Sequence, residues 1–223
     1  MDISSRLLEV VLFMPGLLFS LSIHEAAHAY AADRLGDPTA KNLGRMTLNP
    51  IAHMDPIGTL LFPILGILGV FGRFFFGWGK PVPVNYRNLM HPKRDAMLVS
   101  IAGPLSNLIT AIFFAAIIRV LFHYSDALLT SGWPVHVLKT LIQTLVMYMF
   151  LNLALCFFNL IPIHPLDGGK IIFGLLPNRV AYKFDLFMAR FGFFILLALI
   201  FTNAVRYILW PPIAFLGGVL LGT

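Results

Sequence analysis

The sequence predicts an all-α polytopic membrane protein of about five to six transmembrane helices, with a short β-strand and re-entrant region after the first helix. Three observations carry that prediction. Apolar residues make up 58% of the 223-residue chain and charged residues only 12%, far from the balance of a soluble domain. The apolar residues fall into runs that meet the roughly 20 residues a helix needs to cross a hydrocarbon core about 30 Å thick. Glycines and prolines gather in the segment after the first run, where irregular backbone is to be expected.

Taken in order, the first run covers 7–32. It carries Glu9 and has no short apolar stretch ending in a small-residue cleavage site, so it reads as a retained span and not a signal peptide. Residues 33–95 are rich in breakers and contain two strand-like pieces, 44–48 and 80–86. Pro81 and Pro83 confine the second piece to an extended or edge role. Between the two pieces, the apolar run 57–70 is short and interrupted by Pro63, Gly66 and Gly69, which suits a re-entrant or interfacial segment better than a full crossing. Runs 97–121 and 137–161 are further spans. The C-terminal run 186–221 is one span or two, and Trp210-Pro211-Pro212 is where it would divide or kink.

The net charge is +6, but the basic residues are dispersed among loops and form no stripe with interleaved aromatics, which argues against a nucleic-acid partner. They follow membrane topology instead. Arg73, Lys80, Arg87, Lys93 and Arg94 lie in one segment and Lys170, Arg179, Lys183 and Arg190 in another, whereas 122–136 has no Lys or Arg. The positive-inside rule puts the first two segments in the cytoplasm and the third outside, and a re-entrant 57–70 keeps 33–56 on the cytoplasmic side as well. The expected location is the cell membrane, multi-pass, with the lipid bilayer itself as a partner. Cys156 is the only cysteine and lies in an apolar run, so an internal disulfide and a Cys-based zinc site are both excluded. Without a visible repeat or a polar stretch of domain size, 1–223 reads as a single membrane domain, and nothing in it specifies an oligomeric state.

The chemistry concentrates in His24-Glu25-Ala26-Ala27-His28. Helical positions four apart share a face, so His24 and His28 can hold one metal, and Glu25 beside them is placed to act as a base toward water at that metal. Chance occurrence is the competing reading, and it loses ground inside an apolar span, where an ionisable residue costs about 2.5 to 3.5 kcal/mol on insertion scales. A catalytic zinc site needs a third protein ligand. The stretch Asn159-Leu160-Ile161-Pro162-Ile163-His164-Pro165-Leu166-Asp167-Gly168-Gly169 offers the carboxylate of Asp167 from a segment that its prolines keep out of regular helix. Asp167 alone could equally be a helix N-cap. His164 is a substitute ligand candidate, and His53 lies in a breaker-rich loop that either folds back over the site or makes an ordinary loop hydrogen bond.

HExxH in a membrane span followed by N-x-x-P-x-x-x-x-D-G resembles the site-2 protease family (peptidase family M50) of intramembrane zinc metalloproteases. Ala102-Gly103-Pro104-Leu105-Ser106-Asn107 and Gly79-Lys80-Pro81-Val82-Pro83-Val84-Asn85 are similar to further elements of it. The likeness covers most of residues 20–175. It implies one Zn2+ per chain held by His24, His28 and Asp167, Glu25 as catalytic base, and Asn159 positioning substrate or stabilising an oxyanion. Asn107 and Asn159 with the proline-rich turn would form a polar path for water from the cytoplasmic side. The activity implied is a metalloendopeptidase acting on membrane-spanning protein substrates, as in regulated intramembrane proteolysis. Such a substrate must unwind locally, and the edge at 80–86 is a candidate to hold it by β-addition. The sequence has no PDZ-like insertion and carries HExxH in its first span, departures that bear on how substrates are selected. The alternative is a non-catalytic metal-binding protein or a metal or proton transporter. Against transport stand the lack of an inverted repeat and the presence of Glu25, for which a conduit has no use.

Overall fold

The computed structural model describes residues 3–68 and 77–222. Its elements in chain order are α1 (Ile3–Arg34), α2 (Thr39–Asn42), α3 (Pro50–His53), one stretch of π-helix (Pro56–Leu61) running into α4 (Phe62–Leu68), α5 (Pro92–His123), α6 (Ser125–Thr130), α7 (Val135–Asn159), α8 (Asp167–Leu175), α9 (Asn178–Phe201) and α10 (Ala204–Leu221). Helices α1, α5, α7, α9 and α10 are long and apolar enough to cross a membrane. At 32 residues each, α1 and α5 run about 48 Å, well beyond the thickness of the hydrocarbon core.

Helix α5 is the centre of the bundle, packed on α1, α7 and α8, while α10 closes on α7. Ala111, Phe114, Ala115 and Ile118 of α5 form one core with Met149 and Leu153 of α7 and Ile213 of α10. The small side chains of Ala111 and Ala115 let neighbouring backbones approach, the usual device where lipid removes the hydrophobic drive between helices. A second core joins Ile161, Ile163 and Leu166, in the turn after α7, to Leu196 and Ile200 of α9. That packing fixes the turn from which Asp167 emerges.

The described residues after α1 touch it at two levels. Leu68, at the end of α4, accepts a hydrogen bond from the Arg6 guanidinium near the start of α1. By contrast, Trp78 donates its amide to the Gly58 carbonyl at 3.1 Å, and Gly79 lies against Leu21. Positions 6 and 21 of α1 are about 22 Å apart along its axis, so the π-helical stretch and α4 together run along most of that length of α1, and Trp78 lies again beside Gly58. Residues 58 and 78 lying together is what a re-entrant segment would require; positions 69 and 70 of the apolar run 57–70 lie outside the described residues.

Two expectations are corrected. Neither 44–48 nor 80–86 forms a strand: the first is a run of turns and bends, and the second is extended but unpaired by any ladder. Pro81 and Pro83 carry no amide hydrogen. The amides of Lys80 and Val82 are taken by the His53 carbonyl and the Glu25 carboxylate, so the edge available for β-addition is smaller than its sequence suggests. The C-terminal run is two spans, and the break falls at Thr202 and Asn203, where Asn203 adopts a left-handed φ of 61°. Pro211 and Pro212 lie inside α10 and do not divide it.

Just past α1, the buried Asp37 ties this region together. Its carboxylate accepts from the backbone of Thr39 and Asn85 and from the Asn88 amide, at 3.1, 2.6 and 2.8 Å. Burial alone would raise the carboxyl, but the hydrogen bonds from Thr39, Asn88 and Asn85 outweigh it and hold the group below its ordinary value. With the folded value below the unfolded one, the tie is fully present above about pH 3.9 and is lost as pH falls through the folded value. Asp37→Ala is expected to cost about 1.5 to 3 kcal/mol in local stability, measured as faster amide exchange at 85–88; unchanged protection there would count against the tie.

Candidate metal centre

Two turns of α1 and the first residue of α8 build the site. In α1 the four-residue spacing puts His24 and His28 on one face, with ring centroids 4.6 Å apart. Their Nε2 atoms are 3.0 Å from each other, and each is 3.2 Å from Asp167 Oδ2. Asp167 is not an N-cap: Leu166 occupies that position, and the carboxylate turns toward the imidazoles. All three side chains are buried.

The outer nitrogens settle the tautomers. His28 Nδ1 lies 2.7 Å from the Val99 carbonyl, which can only accept, so Nδ1 carries a hydrogen and, in the neutral ring, Nε2 keeps its lone pair. For His24 the partner is Asn107 Oδ1 at 2.6 Å. Asn152 donates to the Tyr148 carbonyl and to Ser20 Oγ, which turns its own oxygen toward Asn107 Nδ2 at 3.0 Å. Asn107 Nδ2 also donates to the Ser20 carbonyl, leaving Oδ1 for His24. With both rings neutral, two imidazole lone pairs and a carboxylate oxygen converge on one point, an arrangement that a cation between them makes favourable. Tetrahedral zinc bound at about 2.0 to 2.2 Å keeps its ligand atoms about 3.3 Å apart, close to the 3.0 and 3.2 Å found here.

Beside this trio the Glu25 carboxylate accepts the Val82 amide at 2.7 Å. Both line a cavity of about 320 Å³, together with His24, His28 and Asp167. The chain matches Peptidase family M50 over residues 12–199. It belongs to that family. The match spans most of the protein and includes every residue of the cluster. Among relatives, the protein named Putative zinc metalloprotease YwhC of Bacillus subtilis is 42% identical over 195 residues, 87% of this chain and 82% of its own length. The protein named Putative zinc metalloprotease Rip2 of Mycolicibacterium smegmatis is 29% identical over 88% of this chain and 69% of its own length. Zinc metalloprotease MJ0392 of Methanocaldococcus jannaschii is 29% identical over 77% of this chain and 36% of its own length. No solved structure matches the chain. Family and helices together make it an integral multi-pass zinc metalloprotease.

Other residues singled out in this M50 peptidase fall in different places. Asn159, at the end of α7, lines the cavity and donates Nδ2 to the Leu155 carbonyl. Asn107 is fully buried behind His24 and does not line this cavity. His53 is buried too; its Nε2 bonds the Thr47 carbonyl at 2.8 Å and its own carbonyl holds Lys80, so it braces the loop that carries Val82. His164 points elsewhere, to Asp185 at 3.1 Å.

The sequence reading passed over Ser20, Asn152 and the backbone groups of Val82 and Val99, and it quoted Gly103 only as part of a motif. A signal existed for Asn152, a carboxamide inside an apolar span. The backbone groups left none, since any residue supplies a carbonyl and all but proline an amide. Because partners of a metal-bound imidazole tune the ligand, Asn107→Leu is expected to weaken zinc binding about 10- to 100-fold. Chelator competition measures this, and wild-type affinity would remove Asn107 from the support of His24.

Proposed function

We propose that this M50 peptidase hydrolyses peptide bonds of membrane-spanning protein substrates within or beside the bilayer. His24, His28 and Asp167 hold zinc and Glu25 is the base. The observation that carries this reading is the convergence of three buried potential ligand atoms beside a carboxylate that lines the same cavity, inside a bundle of membrane-length helices. Bound zinc supplies a Lewis acid that polarises the scissile carbonyl and lowers the pKa of water.

The chain's own groups do the rest. Glu25 Oε accepts a proton from the attacking water and returns it to the leaving amine. The Val82 amide fixes one carboxylate oxygen of Glu25 and so orients the other. Asn107 and the Val99 carbonyl keep both Nε2 lone pairs directed inward. Helical substrate has its peptide bonds hydrogen-bonded internally, so a locally unwound stretch enters, alongside Pro81, Val82 and Val84 on the cavity wall. The basic segments around Lys93 and Lys170 support a cytoplasmic orientation in the cell membrane.

The test is reconstitution in liposomes with a panel of single-span substrates. Cleavage within or next to the span, inside vesicles or out according to enzyme orientation, is the expected result. A zinc-loaded protein that cuts soluble unfolded peptides but no membrane-inserted one would overturn the substrate assignment. Zinc or proton flux without hydrolysis would replace it by transport.

A further inference from the structure

Five Ser and Thr side chains are buried among the described residues: Ser20, Ser22, Thr59, Ser100 and Thr110. Four donate to backbone carbonyls, Ser20 to Gly16, Ser22 to Leu18, Thr59 to Trp78 and Thr110 to Ser106, at 2.6 to 2.8 Å. Ser100 is only 2% exposed, yet it makes no hydrogen bond within the described residues. A helical serine has a ready partner in the carbonyl one turn back, and leaving a buried hydroxyl unpaired is costly. Its oxygen is not sealed in the protein, and the residue lines the cavity with Glu25 and the three ligands.

Its place on α5 is specific. Val99, the preceding residue, gives its carbonyl to His28. Gly103, one turn further on, lies directly against both imidazoles. Positions three apart on a helix are about 5 to 6 Å between Cβ atoms, so Ser100 stands one step from the rings, on the side toward the N-terminus of α5 and its basic residues.

We infer that Ser100 is a further catalytic residue, whose hydroxyl donates to the oxygen of the scissile carbonyl as that oxygen takes on charge. The inference rests on the hydrolytic reading above. As the oxygen of water bonds to the carbonyl carbon, one water proton passes to Glu25 and the π electrons move onto the carbonyl oxygen, which accepts the Ser100 O–H. Collapse restores the C=O, breaks the C–N bond and sends the proton from Glu25 to the amine, leaving a carboxyl and an amine product. Ser100 keeps its proton throughout. Asn159, which lines the cavity as do Tyr86 and Lys170, already spends one of its two amide hydrogens on the Leu155 carbonyl.

The test compares wild type, Ser100→Ala, Ser100→Thr and Glu25→Gln in detergent, with one cleavable single-span substrate and with bound zinc measured for each. Removing a dedicated oxyanion donor lowers kcat about 10²- to 10³-fold; with zinc sharing the charge, Ser100→Ala is expected to lower it about 10- to 100-fold. KM and zinc content should stay at wild-type values, and Ser100→Thr should restore most of the loss. A kcat within about twofold of wild type, an effect confined to KM, or loss of zinc from Ser100→Ala would each overturn the role. Glu25→Gln separates the two readings. If it is inactive while Ser100→Ala is unimpaired, only the Ser100 inference fails; if it retains turnover, the hydrolytic reading fails and takes the inference with it.

Discussion

Glu25→Gln is expected to lower the rate of substrate cleavage by at least about 10³-fold while zinc stays bound. A positioned general base contributes typically 10² to 10⁴, and in the proposed mechanism Glu25 serves both the attack and the departure of the amine. Glutamine keeps the shape of the side chain and an oxygen that can accept the Val82 amide, the contact that holds Glu25 at 2.7 Å. The three candidate ligand atoms belong to other residues, so that set is untouched. Turnover by purified protein, with zinc determined by elemental analysis on the same samples, decides the matter. Retained cleavage would remove Glu25 from the chemistry, and loss of zinc would make it part of the support of the metal.

Gly103→Ala is expected to lower zinc affinity by 100-fold or more, on the order of the loss found for disrupted metal surroundings, and to abolish cleavage with it. The substitution ought otherwise to be favourable, since alanine in a helix interior gains about 1 kcal/mol over glycine. A Cβ at 103, however, would stand 2.4 Å from His28 Nε2 and 2.6 Å from His24 Cε1. Both rings are anchored behind, by Asn107 and by the Val99 carbonyl. They cannot retreat without breaking those bonds, so the ligand atoms must part. A variant that melts at or above the wild-type temperature and yet releases zinc to a weak chelator is the predicted signature; zinc held at wild-type affinity would show that the rings have room to move.

The sequence by itself determined the class of protein and the local parts of the site. Membrane helices are legible because span length and apolar composition are local properties, and His24 and His28 pair because a helix brings positions four apart together whatever surrounds it. Asp167 was legible only through its motif, since 139 positions separate it from His28 along the chain. The break between the last two spans was misplaced because Pro211 and Pro212 signal a kink in any helix, whereas the turn that occurs depends on Asn203 adopting a left-handed conformation. Strand-like patterning at 80–86 was misleading for a related reason: a ladder needs a neighbour, and the amides there found a carbonyl of His53 and a carboxylate of Glu25 instead. Only the tertiary structure decided which groups stand behind the candidate ligands, Asn107 and Asn152 from two other helices and a carbonyl of Val99, and which hydroxyl, Ser100, is left without a partner among the described residues at the cavity. Those contacts join residues 45 to 83 positions apart, and no periodicity or spacing carries information over that range. It arises when helix packing buries polar groups and leaves each of them to find a partner or go without.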